Sequence, residues 1–201
     1  MINPDILTAI KPVVDAFNKL SITYYIGGSI ASSIYGTARA TLDVDIIADI
    51  TLDRVSSLVR YLIQEYYIDE QMIMEAIRRS ASFNLIHLET MIKIDVFIKK
   101  KDDYNELSFE RKRRDTLVDG DEESDFYFAS PEDIILNKLQ WYKAGDQVSE
   151  RQWLDIIGVI KVQNDSLNTA YLKQWAEILG LFSLLKKAFA DAGFNFEKNK
   201  Y

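Results

Sequence analysis

Two short stretches of this sequence place carboxylates where they could act on a substrate. Asp43-Val44-Asp45 lies inside residues 42–47, where polar and apolar residues alternate. Alternation at period two predicts a strand, and residues i and i+2 of a strand point to the same side. Asp43 and Asp45 are therefore expected next to each other. Adjacent carboxylates raise each other's pKa, and they stay ionised together at low cost only with a cation between them. A third acid, Asp95, sits in Lys93-Ile94-Asp95-Val96-Phe97, also a strand pattern. If the two strands pair, three carboxylates converge on an all-oxygen site. Such a site suits Mg²⁺ and leaves it positions for phosphate oxygens and water. The plain alternative for Asp43 and Asp45 is the solvent face of an edge strand, which the depletion of aspartate from strands disfavours.

Upstream, Ile26-Gly27-Gly28-Ser29 reads as a strand that turns through two glycines into a helix start. Glycines permit close backbone approach, and free N–H groups at a helix start attract an anion. Gly27, Gly28 and Ser29 thus form a candidate phosphate cradle, or an ordinary turn with Ser29 as a helix cap. Arg39, between the glycines and Asp43, either reaches a phosphate or is simply exposed. With these parts the expected chemistry is positioning and charge neutralisation of a triphosphate.

The spacing resembles that of the DNA polymerase beta-type nucleotidyltransferase superfamily. That pattern runs Gly, then Gly or Ser, about nine to thirteen residues, Asp-apolar-Asp/Glu-apolar, and later apolar-Asp-apolar. Here Gly28-Ser29 is followed by thirteen residues, then Asp43-Val44-Asp45-Ile46, then Ile94-Asp95-Val96. A second, looser resemblance is to the prokaryotic AbiEii-type nucleotidyltransferases. It rests on Ser130-Pro131-Glu132-Asp133-Ile134-Ile135-Leu136-Asn137-Lys138-Leu139, followed by Arg151 and Asp155. It implies that Lys138 neutralises the triphosphate, and that Asp155 orients that lysine or serves near the acceptor. The local alternative is a surface lysine, with Asp155 paired to Arg151 one helical turn away.

These groups need elements to hold them. Helical spacing follows Asn3-Pro4, and strands are expected over 22–26, 42–47, 83–88, 92–98 and 126–128. Between them lie a short helix over 29–35 and a helical pattern over 52–66. Residues 83–98 read as a hairpin. Residues 99–125 read as a charged loop containing Lys99-Lys100-Lys101 and Arg111-Lys112-Arg113-Arg114. From Ser130 on, every apolar pattern is helical, over 130–142, 149–162, 168–179 and 181–192. The expected fold is α+β: a nucleotidyltransferase catalytic domain over 1–128, with a small mixed sheet and helices on one face, then a helical bundle over 129–201. A cleft between the halves is expected to hold NTP and metal. His87 reads as structural, and Trp141, Tyr142, Trp153 and Trp175 as packing.

Composition narrows the chemistry. The 201 residues include no cysteine and one histidine, which excludes thiolate and His-rich metal sites. The net charge of −7 argues against general nucleic-acid coating. The first residues carry no signal-peptide pattern and no stretch is apolar enough to span a membrane, so a cytoplasmic location is expected. The expected activity is transfer of a nucleotide from an NTP to an acceptor with release of pyrophosphate. The acceptor is left open between tRNA, as the AbiEii-type resemblance suggests, a protein, and a small molecule such as an antibiotic; the resemblance also implies an antitoxin as a partner. The contrary reading is a non-catalytic nucleotide-binding or antitoxin-type protein. A tRNA acceptor predicts a basic rim over 99–114.

Overall fold

The computed structural model describes residues 4–117 and 125–196. The Asn3 cap and residues 118–124 of the charged loop lie outside them. The chain divides into two compact units, Met1–Ile30 with Arg39–Ala129, and Ala31–Ala38 with Ser130–Tyr201.

The first unit is built on a mixed seven-stranded sheet. In chain order its elements are α1 (Pro4–Lys19), β1 (Tyr24–Ile26), α2 (Gly28–Tyr35), which continues into the second unit, and β2 (Val44–Ala48). Then come α3 (Val55–Leu62), β3 (Tyr66–Tyr67), α4 (Glu70–Arg79), β4 (Ser82–His87), β5 (Lys93–Ile98), α5 (Asp103–Glu110), β6 (Arg113–Thr116) and β7 (Asp125–Phe128). The strand order is β3-β4-β5-β2-β1-β7-β6, with β2–β5 and β1–β7 parallel and the other pairs antiparallel.

Alternation gives this sheet two unlike faces. Val44, Ile46, Ala48, Phe83, Leu85, Ile94 and Val96 all point to one side and are buried. Tyr24 belongs to the same side, and its ring meets Phe17 of α1 at 5.8 Å. Helix α3 packs with both α1 and α4, and α4 packs with β4. The Tyr66 hydroxyl donates to the Ala9 carbonyl at 2.7 Å, fastening β3 to α1. The other side carries Tyr25, Asp45, Ile47, Asn84, Asp95 and Phe97, which are only half-buried apart from Tyr25. There Phe109 of α5 packs on the Tyr25 ring at 4.8 Å.

The α+β class, the mixed sheet and the C-terminal helices match the expectation, while several elements differ in detail. The helical pattern over 52–66 resolves into a single 3₁₀ turn (Leu52–Arg54), α3 and the short strand β3. Helix α4 has no counterpart in the sequence reading. It starts at Asp69, whose side chain accepts from the Met72 N–H at 2.7 Å, and stops at Ser80 in the left-handed region. The charged stretch after Lys99 is not a plain loop. Asp102 caps α5 by accepting from the Asn105 N–H at 2.9 Å, and Arg113 and Arg114 belong to β6. Both elements bury too few apolar residues to announce themselves by periodicity.

The second unit contains α6 (Pro131–Ala144), α7 (Glu150–Gln163), α8 (Thr169–Ile178) and α9 (Phe182–Asp191). Ser130 caps α6, accepting from the Asp133 N–H at 3.2 Å, with Pro131 in the first turn. Glu132 and Asp133 are fully buried and hold α8: Glu132 accepts from the Asn168 N–H at 2.8 Å, and Asp133 accepts from the Tyr171 hydroxyl at 2.6 Å. Gly36 lets the chain after α2 press against α7, since a Cβ there would lie 2.8 Å from the Val159 nitrogen. Tyr142, Trp153 and Trp175 pack as expected, but Trp141 is 60% exposed. Among the described residues no helix is long and apolar enough to cross a membrane.

Burial pushes the Tyr24 hydroxyl from 10.0 up to about 12, and that of Tyr66 still higher. A raised pKa favours the neutral phenol, so this stabilisation is complete below about pH 10 and is lost as pH rises through about 12. In a phenolate-absorbance titration, Tyr24 and Tyr66 should ionise above the ordinary range and together with unfolding. Titration of all eleven tyrosines in one step near the ordinary value would contradict the packing described.

Candidate active site

The parallel pairing of β2 with β5 sets Asp45 directly opposite Asp95. On the far side of β5, Asn84 of β4 is opposite Asp95. On the near side, the Gly27 N–H donates to the Asp45 carbonyl at 2.9 Å. Asn84, Asp95, Asp45 and Gly27 therefore form one row across four strands, on the open face of the sheet. Neighbouring strands lie about 4.8 Å apart, so the two carboxylates are within reach of a single ion. Asp43 lies one residue before β2 and is exposed. The Thr41 hydroxyl fixes its backbone, accepting from the Asp43 N–H at 3.2 Å.

The charges at this spot are legible through Lys93. Its ammonium meets the Asp95 carboxylate at 2.7 Å. Its pKa is raised by that hydrogen bond, against a lowering by desolvation, and further by the charges of Asp95, Asp43 and Asp45. All three acids therefore bear on one point. They do not form a closed cage: among the described residues no three acidic or imidazole groups are arranged to hold a metal ion. Asp45 and Asp95 are juxtaposed, and Asp43 flanks them at the mouth of β2.

The glycine turn is built around Asp45. Gly28 has φ +57°, and a Cβ placed on it would lie 1.8 Å from Asp45 Oδ2. No side chain fits there, so the backbone at the start of α2 lies directly against the carboxylate. The next residue, Ser29, accepts from Arg39 Nη2 at 2.5 Å, and Arg39 Nη1 also reaches the Ala40 carbonyl at 3.3 Å. Gly27, Gly28, Ser29 and Arg39 thus stand together beside Asp45. The donor set is all oxygen, as a hard cation requires. Two carboxylates on neighbouring strands suit Mg²⁺, which is commonly held by one or two carboxylates plus phosphates.

In the second unit, Lys138 of α6 and Asp155 of α7 form a buried ion pair at 2.8 Å. The partner in this bond is therefore Lys138 rather than the nearby Arg151. His87 is buried, bonds Thr90 Oγ1 at 2.9 Å and lies against the Tyr66 ring, a structural place as expected. Several cations of 99–114 are engaged locally. Lys99 meets Glu106 at 2.6 Å and Asp49 at 3.4 Å, Lys112 donates to the Phe109 carbonyl, and Arg114 pairs with Asp125 at 3.2 Å.

Sequence reasoning passed over Lys93 and Asn84. The signal for Lys93 was present, since it lies two residues before Asp95 and so on the same strand face. The place of Asn84 depends on the β4–β5 register and has no local signature.

No family model and no curated protein matches this sequence. Solved structures do share its fold. The antibiotic-resistance factor ANT(2'')-Ia superimposes with a TM-score of 0.52 at 13% identity, covering 93% of this chain and 94% of that one. A candidate nucleotidyltransferase from Thermotoga maritima superimposes with a TM-score of 0.50 at 15% identity, covering 77% of this chain and 96% of that one. The chain shares its fold with these two structures. The AbiEii-type resemblance stays on its motif residues alone.

Gly28→Ala tests the glycine turn. It combines a left-handed backbone with a collision on Asp45, so it should cost about 1–3 kcal/mol of stability in a thermal melt. A variant that melts with the parent would show that Gly28 does not support Asp45.

Proposed function

We propose that this chain is a Mg²⁺-dependent nucleotidyltransferase that moves a nucleoside monophosphate from an NTP to a hydroxyl of a small molecule and releases pyrophosphate. The observation that carries the reading is the row of Asp45 and Asp95 with the Gly28 backbone pressed against the Asp45 carboxylate. A metal held there would supply charge neutralisation of the triphosphate and activation of the acceptor oxygen.

The chain's own residues do the rest. Asp45 and Asp95, with Asp43 at their edge, provide the oxygens for the cation. The Gly27-Gly28-Ser29 turn would let phosphate oxygens approach the backbone closely at the start of α2. Arg39, held by Ser29, adds a fixed positive charge. The acceptor oxygen bonds to the α-phosphorus as the bond from that phosphorus to the bridging oxygen breaks. Asp95 would take the acceptor proton, and the pyrophosphate leaves with the electron pair of the broken bond. Lys138 and Asp155, the residues of the looser resemblance, are paired with each other at 2.8 Å within the second unit.

Two observations support a small-molecule acceptor over tRNA. The net charge is −7, and Lys99, Lys112 and Arg114 of the 99–114 stretch are engaged by neighbours. The likeness of fold to an antibiotic-resistance factor makes hydroxyl-bearing antibiotics the first compounds to try.

The test is transfer of label from α-labelled NTPs to a panel of hydroxyl-bearing antibiotics and bulk tRNA, with pyrophosphate release measured in parallel. Mg²⁺-dependent transfer to a small molecule is expected, falling at least about 100-fold in Asp45→Asn and Asp95→Asn. Transfer to tRNA alone would move the chain to the AbiEii-type reading. Nucleotide binding without any transfer would make it a non-catalytic nucleotide-binding protein.

A further inference from the structure

The ion pair between Lys93 and Asp95 has no part in the chemistry just described. Lys93, Asp95 and Phe97 share one face of β5, so the lysine stem runs along the same side of the sheet as the carboxylates. Its ammonium lies 2.7 Å from Asp95 Oδ2. A cation bound to that oxygen would have to share it with the ammonium. The lysine side chain is 48% exposed, so its head can swing into solvent without disturbing the core. An exposed pair of this kind is worth up to about 1 kcal/mol, which is small enough to be exchanged for a divalent ion.

We infer that Lys93 is a tethered counter-ion that competes with the metal for Asp95, so that the nucleotide-free protein binds the cation weakly and takes it up mainly together with the NTP. This rests on the site proposed above. In the free protein, Lys93 neutralises part of the charge that Asp45 and Asp95 concentrate on one row of the sheet. With a metal and a triphosphate bound, Asp95 would be neutralised by the ion, and the Lys93 ammonium would be released to solvent. A bare metal ion has to displace Lys93 without the added hold of phosphate oxygens. Lys93 is therefore a positioning residue for metal uptake and not a catalytic one.

The experiment is titration of the nucleotide-free full chain with Mn²⁺, followed by electron paramagnetic resonance, alongside thermal melts of every variant. Lys93→Met should bind Mn²⁺ about fivefold more tightly than the parent, the loss of a surface ion pair expressed as affinity. Lys93→Arg, which keeps the charge, should bind like the parent. Lys93→Gln repeats the neutral case should the methionine variant fold poorly. Lys100→Met, at an exposed lysine outside the row, controls for loss of a charge at large and should leave the affinity unchanged. Neutral variants that bind no more tightly than the parent, or no more tightly than Lys100→Met, would overturn the inference while leaving the metal site intact. If Lys93→Met shows no saturable Mn²⁺ binding that adding Asp45→Asn removes, the site itself fails, and the inference with it.

Discussion

Everything proposed for this chain depends on the register between β2 and β5. Parallel pairing sets Asp45 opposite Asp95 and, with it, Val44 opposite Ile94 and Ile46 opposite Val96. The acids and the apolar residues are locked to each other by this register. A slip of one residue would drive the acids into the face that α1, α3 and α4 cover and turn the aliphatic residues outward. Burial of Val44, Ile46, Ile94 and Val96, all fully inaccessible, is therefore the force that holds two like charges side by side. The hydrophobic core on one side of the sheet supports an electrostatically unfavourable cluster on the other.

The cluster in turn explains its surroundings. Gly28 is forced by the Asp45 carboxylate, which leaves no room for a Cβ. Lys93 is the neutralising charge that the chain itself supplies. Ser29 and Arg39 join through a hydrogen bond beside the glycine turn and add a cation near the acids. The second unit contains a similar economy of charge in the Lys138–Asp155 pair, where burial of either group alone would be costly.

The chemistry was more legible in the sequence than the scaffold. Asp43, Asp45 and Asp95 stood out because aspartate is rare among β-branched and apolar neighbours, and period-two alternation told which side each faces. Capping made the four C-terminal helices readable, as at Ser130-Pro131 and at Ser149, whose side chain accepts from the Gln152 N–H. What stayed hidden depends on contacts distant in sequence. Helix α4 buries only Ile73 and Ala76, and α5 only Tyr104, Ser108 and Phe109, too little to create a clear periodic stripe. Strand β6 carries Arg113 and Arg114 on a sheet edge, where composition alone suggests a loop. The neighbour of Asp95 on β4 is Asn84 only because of the hairpin register, and the association of segment 31–38 with the helices depends on the close approach of Gly36 to Val159.

The central claim is that the Asp45–Asp95 row is a metal-dependent nucleotide site, and thermal shift with each NTP, with and without Mg²⁺, tests it most directly. A ligand that binds only the folded chain raises its melting temperature in a concentration-dependent way. The account predicts a rise that requires both Mg²⁺ and NTP and disappears in an Asp43→Ala/Asp45→Ala variant. A rise that is the same without Mg²⁺, or that survives in the variant, or no rise with any NTP, would contradict it.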